Sequence, residues 1–129
     1  MASLIEREAI NEDMPKISRV IYNRLANSQQ NMQRLQFDST VNYLLDRQHI
    51  TTTKTDREKD GPYNTYLRKG LTPTPIGSPS AEALKAAAHP ESGNWLYFVV
   101  CKKGGKSCFT DNFDTHQKTV EEAQKNGIF

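Results

Sequence analysis

Apolar positions recur along this chain at helical and at strand spacing, and the spacing predicts the elements. Over residues 14–26, Ile17, Val20, Ile21 and Leu25 fall three and four residues apart, the period of an amphipathic helix. Asp13 stands just ahead as a cap, with Pro15 tolerated in the first turn. A first helix is predicted over residues 2–10. There Ala2, Ser3, Ala9 and Ile10 share a face with Glu6, whereas Glu8 projects about 200° away. The two glutamates therefore cannot serve one site together. A carboxyl on a small, mostly apolar face can have its pKa raised and act as a proton donor near neutral pH. The plainer alternative is a solvated helix carboxylate.

Residues 27–34 are polar and aperiodic and read as a loop. Asp38 or Ser39 can then cap a short helix carrying Val41, Tyr43, Leu44 and Leu45. From His49 to Gly61 the chain is polar and Thr-rich, which predicts an irregular or weakly β excursion. Its charge run, Lys54 to Asp60, holds three charges of each sign and reads as a solvated loop. Leu71 to Pro79 carries three prolines in nine residues, so it is neither helix nor central strand but a stiff, pinned loop. Ser78-Pro79 predicts the start of an Ala-rich helix over 79–88, which ends at His89-Pro90. Trp95 to Val100 is the strongest strand signal, followed by a return strand around 107–110. A last helix over about 112–125 stops at Asn126-Gly127. These elements sum to an α+β fold: a helix-rich single domain with one β-hairpin near the C-terminal end.

The 129 residues suit one modest core, and no apolar run approaches the length of a membrane span. A net charge of +2, from 17 basic and 15 acidic residues, argues against nucleic acid as a partner. The two cysteines flank Gly104-Gly105. If these glycines form a two-residue turn, Cys101 faces Cys108 at a separation compatible with a disulfide. Two reduced thiols in a strand pair are the alternative. A bridge implies an oxidising, extracytoplasmic compartment. The sequence shows no metal-ligating cluster, phosphate-binding glycine loop or Ser-His-Asp arrangement, so no cofactor or metal is expected.

Asn23, Gln36, Asp38, Tyr63, Asn64, Thr65, Tyr66 and Ser78 stand out as polar and aromatic residues on short rigid segments. Aromatic faces that stack on sugars, with amides and hydroxyls to pair with sugar hydroxyls, are the makings of a carbohydrate site. For each residue alone, a loop or capping role is the plainer reading. The three histidines carry less: His89 precedes a proline at a helix end, His116 reads as a solvated helix residue, and His49 has no signal.

Taken in order, ASLIEREA (Ala2–Ala9), YNRL (Tyr22–Leu25), LQFDSTV (Leu35–Val41), YNTY (Tyr63–Tyr66) with Gly70-Leu71, Pro75 to Pro79, ALKAAAHP (Ala83–Pro90) and the Tyr97–His116 segment strongly resemble the MltG-type, YceG-like endolytic murein transglycosylases. The departures are Phe37 and Ser39, where many relatives have Ser and Pro, and Thr72 and Thr74, where Pro and Gly are frequent. The resemblance implies that residues 1–129 are a catalytic domain cut from a protein with an N-terminal membrane helix and a LysM-like region. It implies a lyase that cleaves the bond between N-acetylmuramic acid and N-acetylglucosamine in nascent glycan strands, leaves 1,6-anhydro ends and terminates strand elongation. The full-length protein is then expected at the extracytoplasmic face of the bacterial cytoplasmic membrane, with peptidoglycan strands as substrate and cell-wall synthases as partners. Glu6 matches the catalytic glutamate. Asn23, Gln36, Asp38, Tyr63, Asn64, Tyr66 and Ser78 become substrate-binding candidates. Two alternatives remain: a hydrolytic muramidase with Asp38 as partner carboxylate, and a non-catalytic peptidoglycan-binding or scaffold module.

Overall fold

The computed structural model describes residues 1–29, 32–46 and 52–128. Helix α1 (Ala2–Glu8) leads through a 3-10 turn at Asn11–Asp13 into α2 (Met14–Leu25). Two short helices follow, α3 (Asp38–Leu44) and α4 (Lys54–Glu58), then α5 (Ala81–Ala88). An antiparallel hairpin, β1 (Tyr97–Val100) and β2 (Ser107–Thr110), precedes α6 (Phe113–Lys125). This is the helix-rich α+β domain that the hydrophobic pattern predicts.

The core lies where α1, α2 and α5 meet. Leu4 and Ile5 of α1, Met14, Ile17 and Ile21 of α2, and Ala83 and Ala86 of α5 bury their side chains together, joined by Leu35, Phe37 and Ile76. The small residues of α5 let it sit close against its two partners, and removing an isoleucine such as Ile17 costs about 2–5 kcal/mol. Ile76 explains how the proline-rich loop is pinned. Its side chain enters the core, and its backbone N–H donates to Ser3 Oγ of α1 at 3.1 Å.

Helix ends differ from expectation in instructive ways. Asp13 precedes α2 but caps nothing with its side chain; its buried carboxylate instead accepts the Ser107 N–H at 2.9 Å, tying the hairpin to the helices. The cap of α5 is Ser80, not Ser78: Ser80 Oγ accepts from the Ala83 N–H, and the helix starts two residues later than Ser78-Pro79 implies. Within the Thr-rich stretch, Lys54–Glu58 is helical rather than irregular or β. Thr53 and Asp56 form a reciprocal capping box that nucleates α4. The start of that stretch, including His49, lies outside the described residues. At the other end Gly127, at φ +72°, closes α6 with bonds from Gly127 N–H to Gln124 and from Ile128 N–H to Ala123.

The hairpin carries the bridge but not in the expected register. Val99 faces Cys108 and Val100 faces Ser107. The turn is longer than two residues: Lys102 to Gly105 loop out, with Gly104 and Gly105 both at positive φ, and Cys101 N–H bonds Lys106. Cys101 and Cys108 are thus diagonal neighbours on one face of the ribbon, bonded through their sulfurs with Cα atoms 5.8 Å apart.

Candidate active site

A cleft of about 230 Å³ opens where the end of α1, the end of α2, the segment leading into α3, the start of β1 and the first turns of α6 converge. Glu8, Arg24, Gln36, Asp38, Tyr97 and His116 give it its polar and aromatic lining. Glu8 is the central group. Burial pushes its carboxyl up to about 7, and the charge of Asp38 adds to the rise against opposing effects of Ser39 and Arg7. Ser39 Oγ donates to Glu8 Oε1 at 3.4 Å. A carboxyl titrating near neutrality inside a cleft can both give and take a proton.

Asp38 is held firmly. Its Oδ1 accepts from Tyr66 Oη at 2.6 Å and from Thr52 Oγ1 at 2.7 Å. Burial and then the bond to Asp38 push the Tyr66 phenol well above its usual range, so it stays a donor. Arg57 supports both donors. Its guanidinium lies 5.5 Å from the Tyr66 ring, and Nη1 bonds the Thr52 carbonyl at 2.7 Å. The charge run read as a solvated loop therefore supplies, through α4, the outer support of the Asp38 carboxylate. Its Asp60 does face water, in an exposed pair with Arg68.

The segment bearing Gln36 and Asp38 is shaped from below by the YNTY motif. Gln36 adopts φ +59°, a left-handed conformation uncommon for a residue with a side chain. It is held there by its N–H to the Thr65 carbonyl at 3.1 Å, while Phe37 N–H bonds Thr65 Oγ1 at 2.8 Å. Thr40 Oγ1 closes this buried network onto Thr65 and the Phe37 carbonyl, each at 2.8 Å. Strain of this kind persists where surrounding bonds over-determine it, and it aims the Gln36 side chain's segment at the cleft.

The structure divides the sequence candidates. Gln36 and Asp38 line the cleft, and Tyr66 acts behind Asp38. Asn64 is fully buried: its amide donates to the Arg57 and Lys59 carbonyls and accepts the Tyr66 N–H, so it fixes the motif's own backbone. Asn23 donates to the Gly93 and Trp95 carbonyls and fastens α2 to the approach of β1. Tyr63 packs on Tyr43 and shares a hydrogen bond with Thr74 at the proline-rich loop. Ser78 is exposed and does not line the cleft. The amide N–H groups of Asn23, the Tyr63 hydroxyl and the Asn64 amide thus make bonds within the fold.

Glu6, the carboxylate expected to carry the chemistry, does not line the cleft either. Its Oε1 accepts the Ser80 N–H at 2.6 Å, and bonding to Ser80 holds its carboxyl below the usual range. It links α1 to the start of α5, and the bond it accepts favours its anion. The residue that the sequence reasoning set aside, Glu8, takes the cleft position. A local signal for this was present: Leu4 and Ile5, three and four residues before Glu8, are the largest apolar side chains of α1 and are fully buried. Arg24, Tyr97 and His116 were also missed. Arg24 bridges the Leu96 and Arg34 carbonyls at 2.9 and 2.8 Å, joining three segments of the cleft wall.

Comparison with known proteins agrees with this architecture. A model of the YceG-like family matches residues 1–122. The chain is 41% identical over 123 residues to an endolytic murein transglycosylase of Bacillus subtilis (strain 168), covering 95% of this chain and 33% of that protein. It is 34% identical over 128 residues to an endolytic murein transglycosylase of Streptococcus pneumoniae serotype 2 (strain D39), covering 95% of this chain and 22% of that protein. The crystal structure of a yceG-like protein from Listeria monocytogenes superposes with a TM-score of 0.83 at 42% identity, over 92% of this chain and 38% of that one. The chain thus spans a third or less of the length of these curated relatives. With a family match across nearly its whole length, this chain belongs to the YceG-like family.

Proposed function

We propose that this domain is the catalytic unit of an endolytic peptidoglycan lytic transglycosylase, with Glu8 as its acid and base. The observation that carries the reading is a cleft carboxyl pushed up to about 7 by burial and by Asp38. Protonated Glu8 donates to the glycosidic oxygen between N-acetylmuramic acid and N-acetylglucosamine as that bond breaks. The carboxylate formed then takes the proton of the muramoyl C6 hydroxyl, whose oxygen bonds the anomeric carbon and closes the 1,6-anhydro ring. One carboxyl serves both steps because the nucleophile belongs to the substrate and is already in position. Asp38, fixed by Tyr66 and Thr52, stabilises the positive charge that develops at the anomeric carbon. Gln36, on the cleft rim, pairs with substrate amide or hydroxyl groups. Cleavage within nascent strands, and hence termination of their elongation, follows from the same reading, as does an extracytoplasmic setting that suits the Cys101–Cys108 bridge.

A muramidase is the second reading, because Asp38 lines the same cleft and its charge reaches Glu8. Its Oδ1 already accepts two hydrogen bonds, which suits a fixed charge better than a base that must activate water. Mass spectrometry of the products from purified glycan strands separates the readings. Anhydro ends that disappear in Glu8→Gln and persist in Glu6→Gln are expected. Reducing ends select the muramidase, and anhydro product from Glu8→Gln overturns the proposal.

A further inference from the structure

The acid–base step leaves two aromatic residues of the cleft lining unused. Tyr97 of β1 and His116 of α6 line the cleft with their rings stacked, 5.2 Å between centroids and 24° between planes. Phe113, at the start of α6, leans on both, at 5.6 Å from Tyr97 and 6.4 Å from His116. It is nevertheless 51% exposed, so one side of its ring is open to solvent beside the Tyr97–His116 pair. The Arg24 guanidinium lies 5.6 Å from the Tyr97 ring. Among the described residues no hydrogen bond holds the His116 imidazole; rings alone fix it. Burial and the Arg24 charge keep it below its usual range and favour the neutral ring, in which one nitrogen is a donor and the other an acceptor.

Exposed aromatic surface beside an amphoteric, half-buried ring matches the two sides of a hexosamine. The apolar face of the pyranose packs on an aromatic ring, and its hydroxyl and acetamido groups both give and accept hydrogen bonds. We propose that Phe113, Tyr97 and His116 form a sugar subsite that continues the cleft past the carboxylates and holds an N-acetylhexosamine next along the strand. The proposal rests on the reading of the cleft as a glycan site. The subsite's continuity with that cleft is what selects a sugar as its occupant. It also relocates the aromatic platform that the sequence pattern assigns to Tyr63 and Tyr66, whose hydroxyls are engaged within the fold.

The test uses Glu8→Gln protein, which binds without cutting, and calorimetric titration with a tetrasaccharide of alternating N-acetylglucosamine and N-acetylmuramic acid. Phe113→Ala and His116→Ala should each weaken binding about tenfold, and His116→Gln, which keeps a donor and an acceptor, should recover part of the loss. The ring resonances of His116 should shift as the tetrasaccharide is added. Phe113 is exposed and can be removed without opening the core, so its variant decides the matter even where His116→Ala melts early. Affinity within twofold of the parent for Phe113→Ala and His116→Gln, with an unmoved His116 signal, overturns the subsite. In that case the Glu8-dependent anhydro product still stands. Absence of any glycan binding together with absence of that product overturns both.

Discussion

The two faces of α1 show how differently one short helix can treat two glutamates. Glu6 and Glu8 are a single residue apart in the gap between them, identical in chemistry and separated mainly by helical rotation. Glu6 meets a backbone N–H at the start of α5, and that bond favours its anion. Glu8 meets a cleft with Asp38 beside it, and both burial and that charge favour its acid. The difference teaches that a carboxyl's role here is set by the element packed against it, since the helix supplies both groups equally. It also bears on stability. The native state holds Glu8's proton more tightly than the unfolded chain, so its contribution is present below about pH 4.5 and is lost as pH rises through about 7. On the acid–base role proposed for Glu8, such a cost is the usual exchange of stability for activity.

The sharpest way to break the comparison is to neutralise each carboxyl in turn. Glu8→Gln should lower kcat/KM on glycan strands about a thousandfold, read from the rate of anhydro-product formation. The same variant should be more stable than the parent at pH 8 by up to about 3 kcal/mol, with the gap closing toward pH 4. Denaturant titrations at both pH values check this, and a constant gap would mean that Glu8 titrates as an ordinary carboxyl. Asp38→Asn comes next. Activity at neutral pH should fall about 10- to 100-fold, and the alkaline limb of the pH–rate profile should move to lower pH, because the charge that raises Glu8 is gone. A limb that stays in place would remove Asp38 from the account of Glu8. Opening the bridge with Cys101→Ser should cost about 2 kcal/mol, seen as a lower melting temperature. Smallest of all, Glu6→Gln should leave activity within about twofold of the parent and lower the melting temperature slightly, since an amide oxygen still accepts the Ser80 N–H.

Much of the architecture was legible in the chain. The helical spacing of Ile17, Val20, Ile21 and Leu25 gave α2 nearly to the residue, and Trp95 to Val100 with its return strand gave the hairpin. Local chemistry fails where two local solutions compete. Ser78 and Ser80 are both serines ahead of the same Ala-rich run, and only the position of Glu6 against the Ser80 N–H distinguishes them. The hairpin's cysteines announced a bridge, but Gly104 and Gly105 suit a two-residue turn and a longer one alike, and only the pairing of Cys101 with Lys106 shows which register forms. Likewise YNTY reads as a sugar-binding motif because its groups are polar, and only the tertiary structure shows both central residues turned inward, Thr65 to hold the Gln36–Phe37 backbone and Asn64 to fix the motif's own backbone and the end of α4.

By itself, then, the sequence determined which segments are helix and strand, that Glu6 and Glu8 face different surroundings, and that the ordered motifs belong to one family. Those properties are periodic or local, and the chain states them in full. Which glutamate enters the cleft is not local. It depends on α3 bringing Asp38 and Ser39 against one face of α1 while α5 brings Ser80 against the other. A proton's affinity for a carboxyl responds to burial and charge within a few ångströms, and those neighbours arrive from 30 and 74 residues away along the chain.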